Sequence, residues 1–214
     1  MQVPARSVAD NQKVVFDSWK KDKNQFLFGA AGTGKTLLAL ASAISQRRNY
    51  KQIFVARPIV PLSNKDLGYL PGDISSKINP YMEPLWDNFK FIQNQFKETS
   101  KEYKVLKNMV ESEKFLIQPL AYIRGRSFSN IFFIVDEAQN LTSKQMKTLI
   151  TRAGPGTKVV CMGNVAQIDT PYLTETTSGI TFVVDRFKNW KHSGHITLKR
   201  GERSRLADYA SELL

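Results

Sequence analysis

Four residues set the first chemical question: Gly29, Gly34, Lys35 and Thr36, spaced G-x-x-x-x-G-K-T within GAAGTGKT. Glycines at these places let successive backbone amides curl into a nest for an anion. The Lys35 ammonium reaches terminal phosphates, and the Thr36 hydroxyl suits a Mg²⁺ ligand. The whole turn takes part through its main chain, so the expected nucleotide-holding set is Gly29, Ala30, Ala31, Gly32, Thr33, Gly34, Lys35 and Thr36. So short a pattern can arise by chance. Here it follows an apolar run, QFLF (25–28), and opens a helix-like segment whose positive end strengthens the nest.

A second constellation is Asp136 and Glu137, which end the apolar run NIFFIV (130–135). A buried strand keeps two carboxylates only where its tip emerges at a polar or cationic site, and phosphate with Mg²⁺ supplies one. Asp136 is then expected to hold Mg²⁺ through water, and Glu137 to orient and deprotonate a water attacking the γ-phosphate. Just beyond another apolar run, KVVCMG (158–163), Asn164 and Gln167 offer amides to the γ-phosphate or the attacking water. Asn11 and Gln12 are placed to offer an amide to the edge of adenine. ATP is therefore favoured over GTP as substrate.

These residues need strands that carry them to one edge. The apolar runs 25–28, 52–56, 114–120, 130–136 and 158–163 alternate with helical stretches. That alternation predicts an α/β fold: a mostly parallel sheet of five or more strands with helices on both faces. TLLALASAISQRR (36–48) reads as a helix with basic residues in its last turn, and NLTSKQMKTLIT (140–151) as another with Thr142 or Ser143 as N-cap. Residues 60–82, with Pro61, Pro71 and Pro80, read as a loop serving a site. Residues 83–113 are polar and mixed in charge, suited to an accessory helical insertion. Repeats and low-complexity linkers are missing, so residues 1–214 are expected to form a single phosphate-loop ATPase domain.

Composition narrows the setting. The chain has 214 residues, 42% of them hydrophobic, which suits a folded globular core rather than disorder. The opening MQVPARSVADNQ lacks the apolar stretch of a signal peptide, and no run reaches the roughly 18 apolar residues of a membrane span. A lone cysteine, Cys161, excludes an internal disulfide and a cysteine-based zinc cluster, so a cytoplasmic protein without membrane partners is expected. Lys and Arg number 31 against 19 Asp and Glu, a net charge of +12, which suits a polyanionic partner. His192 and His195 are given no role.

GAAGTGKT, DEAQN and GNVAQID together resemble a RecA-type core of the superfamily one helicase group, and more closely the PhoH family of ATPases. The similarity extends through ARPIVP (56–61), GYLPGDISSKINPYMEPLWDN (68–88), YIRGRSF (122–128), QIDTPYLTETTSGITFVVDRFK (167–188) and HITLKRGERSRLA (195–207). The last two segments are similar to the ATPase half of members that carry an N-terminal PIN nuclease domain. About two dozen residues before the first strand are too few for that nuclease, so no ribonuclease activity is expected. Asn164 stands where many stand-alone members have Asp, although the nuclease-fused members resemble this chain there, so a carboxylate contact at that position is not expected. The resemblance implies ATP hydrolysis coupled to RNA, and hexameric rings.

An isolated RecA-type core leaves its phosphate site open on one side, where hydrolysis needs a cation from elsewhere. A neighbouring subunit is the natural source, and head-to-tail contacts that close give a ring. Arg203 is the first choice for that finger, with Arg200, Arg124 and Arg126 as alternatives. RNA or single-stranded DNA would be held through its backbone by Arg57, Lys65, Arg124 and Arg126, with Tyr69 or Tyr81 for stacking. Two other readings stay open: an ATP-gated nucleic-acid-binding regulator without translocation, and, more remotely, a small-molecule kinase.

Overall fold

Six short runs rich in β-branched and aromatic residues pair into one parallel sheet, in the computed structural model, which describes residues 24–29, 32–60, 74–123, 125, 127–198 and 209. The strands are β1 (Asn24–Gly29), β2 (Gln52–Arg57), β3 (Phe115–Pro119), β4 (Ile131–Val135), β5 (Lys158–Gly163) and β6 (Ser193–Leu198). Their order is β3-β2-β4-β5-β1-β6, and every pairing is parallel. All carboxyl ends therefore meet along one edge, where open α/β sheets bind their ligands.

Successive strand residues face opposite sides, and two separate cores result. Leu27, Ile53, Val55, Phe132, Ile134, Val160 and Met162 point into one. Phe26, Phe54, Phe133, Val135, Val159 and Cys161 point into the other. Helices α1 (Lys35–Ser45), α2 (Ile74–Gln93) and α3 (Lys101–Glu111) cover the first; α4 (Ser143–Ile150) and α5 (Gly179–Phe187) cover the second. With both faces covered, strands such as β4 and β5 bury every residue, which is why they read as unbroken apolar runs. Cys161 lies in the second core, its thiol pushed up to about 12 by burial, and so is an inert packing residue.

Three sequence expectations are revised, and one, a sheet of five or more strands, is made specific. First, the sheet gains β6: SGHITL carries Ser, His and Thr on an edge strand and gives no apolar run. His195, on that strand, packs edge-to-face on Phe28 with ring centroids 4.7 Å apart. Second, the segment read as loop to residue 82 is helical from Ile74, with Pro80 and Pro84 inside α2. Each proline removes one helix hydrogen bond, yet the stripe Met82, Leu85, Phe89 and Ile92 is buried, and Phe89 stacks on Phe115 at 4.4 Å. Tertiary packing offsets the local breakers. Third, α1 stops at Ser45 rather than 48; Arg47 lies beyond it and its Nη1 donates to the Ile44 carbonyl at 3.1 Å. Fourth, Tyr81 packs against the first core rather than standing free for stacking.

The helical pair expected near 83–113 is the crossover from β2 to β3, with Leu106 and Met109 of α3 buried. Thr142, not Ser143, caps α4 in a reciprocal box with Gln145. No helix among the described residues is long and apolar enough to cross a membrane.

Candidate nucleotide site

β1 ends at Gly29, and the turn through Gly32, Thr33 and Gly34 delivers the chain to α1, whose first residues are Lys35 and Thr36. Gly34 adopts φ 79°, in the left-handed region that suits glycine, at the N-terminus of α1. No side-chain cap hydrogen bond is made at the start of this helix or of α5, whereas Ser100 caps α3 and Thr142 caps α4. The positive end of the helix dipole at the first turn of α1 suits an anionic ligand. Lys35 Nζ donates to the Gly29 carbonyl at 2.7 Å, folded back over its own turn. Ala30, Ala31 and Gln12 lie outside the described residues.

Two strands away, β4 ends at Val135 and releases Asp136 and Glu137 at the same edge. Asp136 is 4% exposed, and Thr36 Oγ1 donates to its Oδ1 at 3.4 Å. The hydroxyl and carboxylate expected to share Mg²⁺ therefore meet, from positions a hundred residues apart. Burial, and then the neighbouring Glu137 charge, raise the Asp136 carboxyl to about 6, with Arg57 and Lys35 acting in opposition. A buried carboxylate of this kind calls for a cation, and an oxygen pair of hydroxyl and carboxylate is the hard donor set that Mg²⁺ prefers.

Glu137 departs from ordinary backbone geometry, with φ 51° and ψ 37° in a residue that has a side chain. That conformation costs on the order of 1 kcal/mol and persists only where surroundings impose it. The surroundings are visible. Gln139, fully buried in the 3-10 turn Ala138–Asn140, donates from Nε2 to Glu137 Oε2 at 2.6 Å and to the Gln167 carbonyl at 2.8 Å. Its Oε1 accepts from the Asn164 amide at 3.2 Å. Gly163 makes room for it, since a Cβ there would lie 2.7 Å from Gln139 Oε1. Asn140 grips the same loop: its Oδ1 accepts from Asp169 N at 2.8 Å, and its carbonyl accepts from Thr170 Oγ1 at 2.9 Å.

Two placements differ from expectation. Arg57, taken as a backbone contact for nucleic acid, lies against the carboxylates: Nη2 is 3.5 Å from Glu137 Oε1 and Nη1 is 3.9 Å from Asp136 Oδ2. The cause is register. Ala56 pairs with Val135, so Arg57 and Asp136 leave adjacent strands side by side and on the same face. Gln167 enters through its carbonyl, while its residue is exposed; the side-chain amide that reaches the Glu137 carboxylate belongs to Gln139. Gln139 went unassigned in DEAQN because one amide in a loop has no periodicity; its signal is a polar residue inside a segment that must be buried. Lys65, Arg124, Arg126, Arg200, Arg203, Asn11 and Tyr69 lie outside the described residues.

A profile described as PhoH-like protein matches residues 4–211. The chain is similar to Protein PhoH2 of Bacillus subtilis (strain 168), 48% identical over 191 residues, covering 88% of this chain and 42% of that protein. It is also similar to a PhoH-like protein of Mycobacterium tuberculosis (strain ATCC 25618 / H37Rv), 39% identical over 163 residues, covering 75% of this chain and 44% of that one. The chain thus spans about two-fifths of the length of these relatives. Among solved structures, the large terminase from a thermophilic bacteriophage superposes with a TM-score of 0.58 at 12% identity, covering 96% of this chain and 50% of that one. That likeness supports the parallel-sheet α/β fold. With the profile spanning nearly its whole length, the chain belongs to the PhoH family.

Proposed function

We infer that this domain hydrolyses ATP with Mg²⁺, and that its turnover responds to single-stranded RNA or DNA. The observation that carries the reading is the meeting of Thr36, Asp136 and the doubly held Glu137 at the end of β4, facing an uncapped helix that starts at Lys35. Thr36 and Asp136 would hold Mg²⁺, which when bound neutralises charge developing on the phosphates. Lys35 exchanges its Gly29 carbonyl partner for phosphate oxygens. Glu137 accepts the proton of the attacking water. Gln139 and Arg57 fix the direction of its two oxygens before substrate arrives, so little reorganisation is needed at reaction.

Coupling to a strand runs through the loop after β5. Gln139 and Asn140 tie residues 164–170 to the Glu137 carboxylate, so a displacement at either end is felt at the other. We place the remaining cation in a neighbouring subunit of a closed ring, a hexamer, with Arg203 as its donor.

The test compares ATP turnover by the purified protein alone, with oligo(U) RNA and with oligo(dT), alongside the mass of the assembly by light scattering. Mg²⁺-dependent turnover stimulated by a strand, from a ring that loses turnover in Arg203→Ala, is the expected result. Turnover that ignores both strands removes the coupling; turnover by a monomer at the full rate removes the ring.

A further inference from the structure

Far from the nucleotide site, a groove of about 630 Å³ opens between the turn after α1, the exposed side of α3 and the residue that enters β3. Arg47 and Arg48 line it from the turn, Lys101 and Lys104 from α3, and Lys114 from the start of β3. Lys114 is anchored there, since its carbonyl accepts from Ile53 N at 2.8 Å. Strand direction fixes the location: Lys114 precedes a parallel strand whose carboxyl end lies on the edge of Asp136. The groove therefore sits at the opposite edge.

The groove is chemically one-sided. Its lining includes five cations and no carboxylate. None of the five forms an ion pair among the described residues, although elsewhere on α3 Lys107 pairs with Glu111 at 3.9 Å. Arg47 is held in place by its bond to the Ile44 carbonyl, and burial followed by repulsion from Arg48 lowers its affinity for the proton, with Glu102 offsetting part of that. Like charges gathered in one groove repel, and an anion bound among them relieves that repulsion. Val105 and Met109 supply an apolar floor, and no aromatic ring lines the groove, so it offers charge without a platform for stacking bases.

We propose that this groove binds the phosphodiester backbone of single-stranded nucleic acid, as a contact surface separate from the ATP site. The proposal deepens the nucleic-acid reading given above and rests on it only in taking a strand as the polyanion. Backbone recognition predicts equal treatment of RNA and DNA, and an affinity that falls steeply with salt.

The experiment is fluorescence anisotropy with labelled oligo(U) and oligo(dT), without nucleotide, across a salt series. It compares the full chain with the triple variant Arg48→Ala, Lys101→Ala, Lys104→Ala, three exposed positions. A control of equal charge loss, Arg186→Ala, Lys188→Ala, Lys191→Ala, lies on α5 and the turn after it. Loss of three contacts predicts a log–log salt slope shallower by about 2, at roughly 0.7 per phosphate contact. Binding of both strands falls at least about tenfold, with basal ATP turnover unchanged and the control near the parent. Equal losses in groove and control variants would assign binding to net charge and overturn the proposal. So would unaltered strand binding by the groove variant, which leaves the nucleic-acid reading intact. Retained strand binding with lost capture of poly-glutamate would give the groove to an acidic protein instead. A parent chain that binds neither strand at low salt overturns both readings.

Discussion

At one edge of the sheet Lys35 and Arg57 face Asp136 and Glu137, two cations against two acids within one small site. At the other edge, five cations line a groove whose lining includes no acid. Among the described residues the first arrangement holds as many cations as acids before any ligand arrives, so much of a nucleotide's charge has to be met by its metal and by the positive end of α1. The second is left unbalanced, and a strand of phosphates would balance it. The net charge of +12 is thus not a uniform coat, and the contrast predicts that salt should separate the two sites.

The largest expected effect belongs to the balanced edge. Glu137→Gln keeps the shape and the Gln139 contact but removes the base, and should lower ATP turnover by about 10²–10⁴-fold with ATP affinity retained, as read by steady-state kinetics and equilibrium binding. Raising salt from 50 to 200 mM should weaken strand binding by roughly 10²-fold if five phosphate contacts are made, and should alter nucleotide affinity far less. Titrating both ligands on one preparation checks the separation. Gln139→Leu, which removes the bonds to the part-buried Asn164 amide and Gln167 carbonyl, should cost about 1 kcal/mol in urea unfolding. It should also lower kcat more than it raises KM.

The last effect is one of stability alone. Without ligand, the folded Asp136 carboxyl is raised to about 6, above its ordinary value, so the folded form holds its proton more tightly than the unfolded chain. Its favourable contribution is complete below the ordinary carboxylate range and is lost as pH rises through 6. Asp136→Asn should therefore stabilise the ligand-free protein at pH 7.5 by about 1–3 kcal/mol, an advantage that fades as pH falls to 4. Urea midpoints at the two pH values measure it, and a variant less stable than the parent at pH 7.5 would contradict the burial argument.

Much of the balanced edge was legible in sequence because its residues break a pattern. Gly34, Lys35 and Thr36 follow an apolar run, and Asp136 and Glu137 end another; a buried strand tolerates such residues only at its tip. The place of Arg57 beside the carboxylates was not legible, because it is set by the pairing of Ala56 with Val135, and register between distant strands is not written in either strand alone. Gln139 escaped for a similar reason, since its partners in the loop after β5, Asn164 and Gln167, lie 25 and 28 residues away. β6 and the first turns of α2 were missed where packing overrides local signals, in one case for a polar edge strand and in the other across two prolines. The groove was invisible, because its cations join α3 to turns at residues 47 and 114 only in three dimensions.

The central claim is that the turn at Lys35 and the carboxylates after β4 act as one ATP-hydrolysing site. Single-turnover hydrolysis of γ-labelled ATP by the parent and by Lys35→Ala, at saturating Mg²⁺, tests it most directly. The account predicts phosphate release by the parent and a loss of at least about 10²-fold in the variant; release at the parental rate from Lys35→Ala would contradict it.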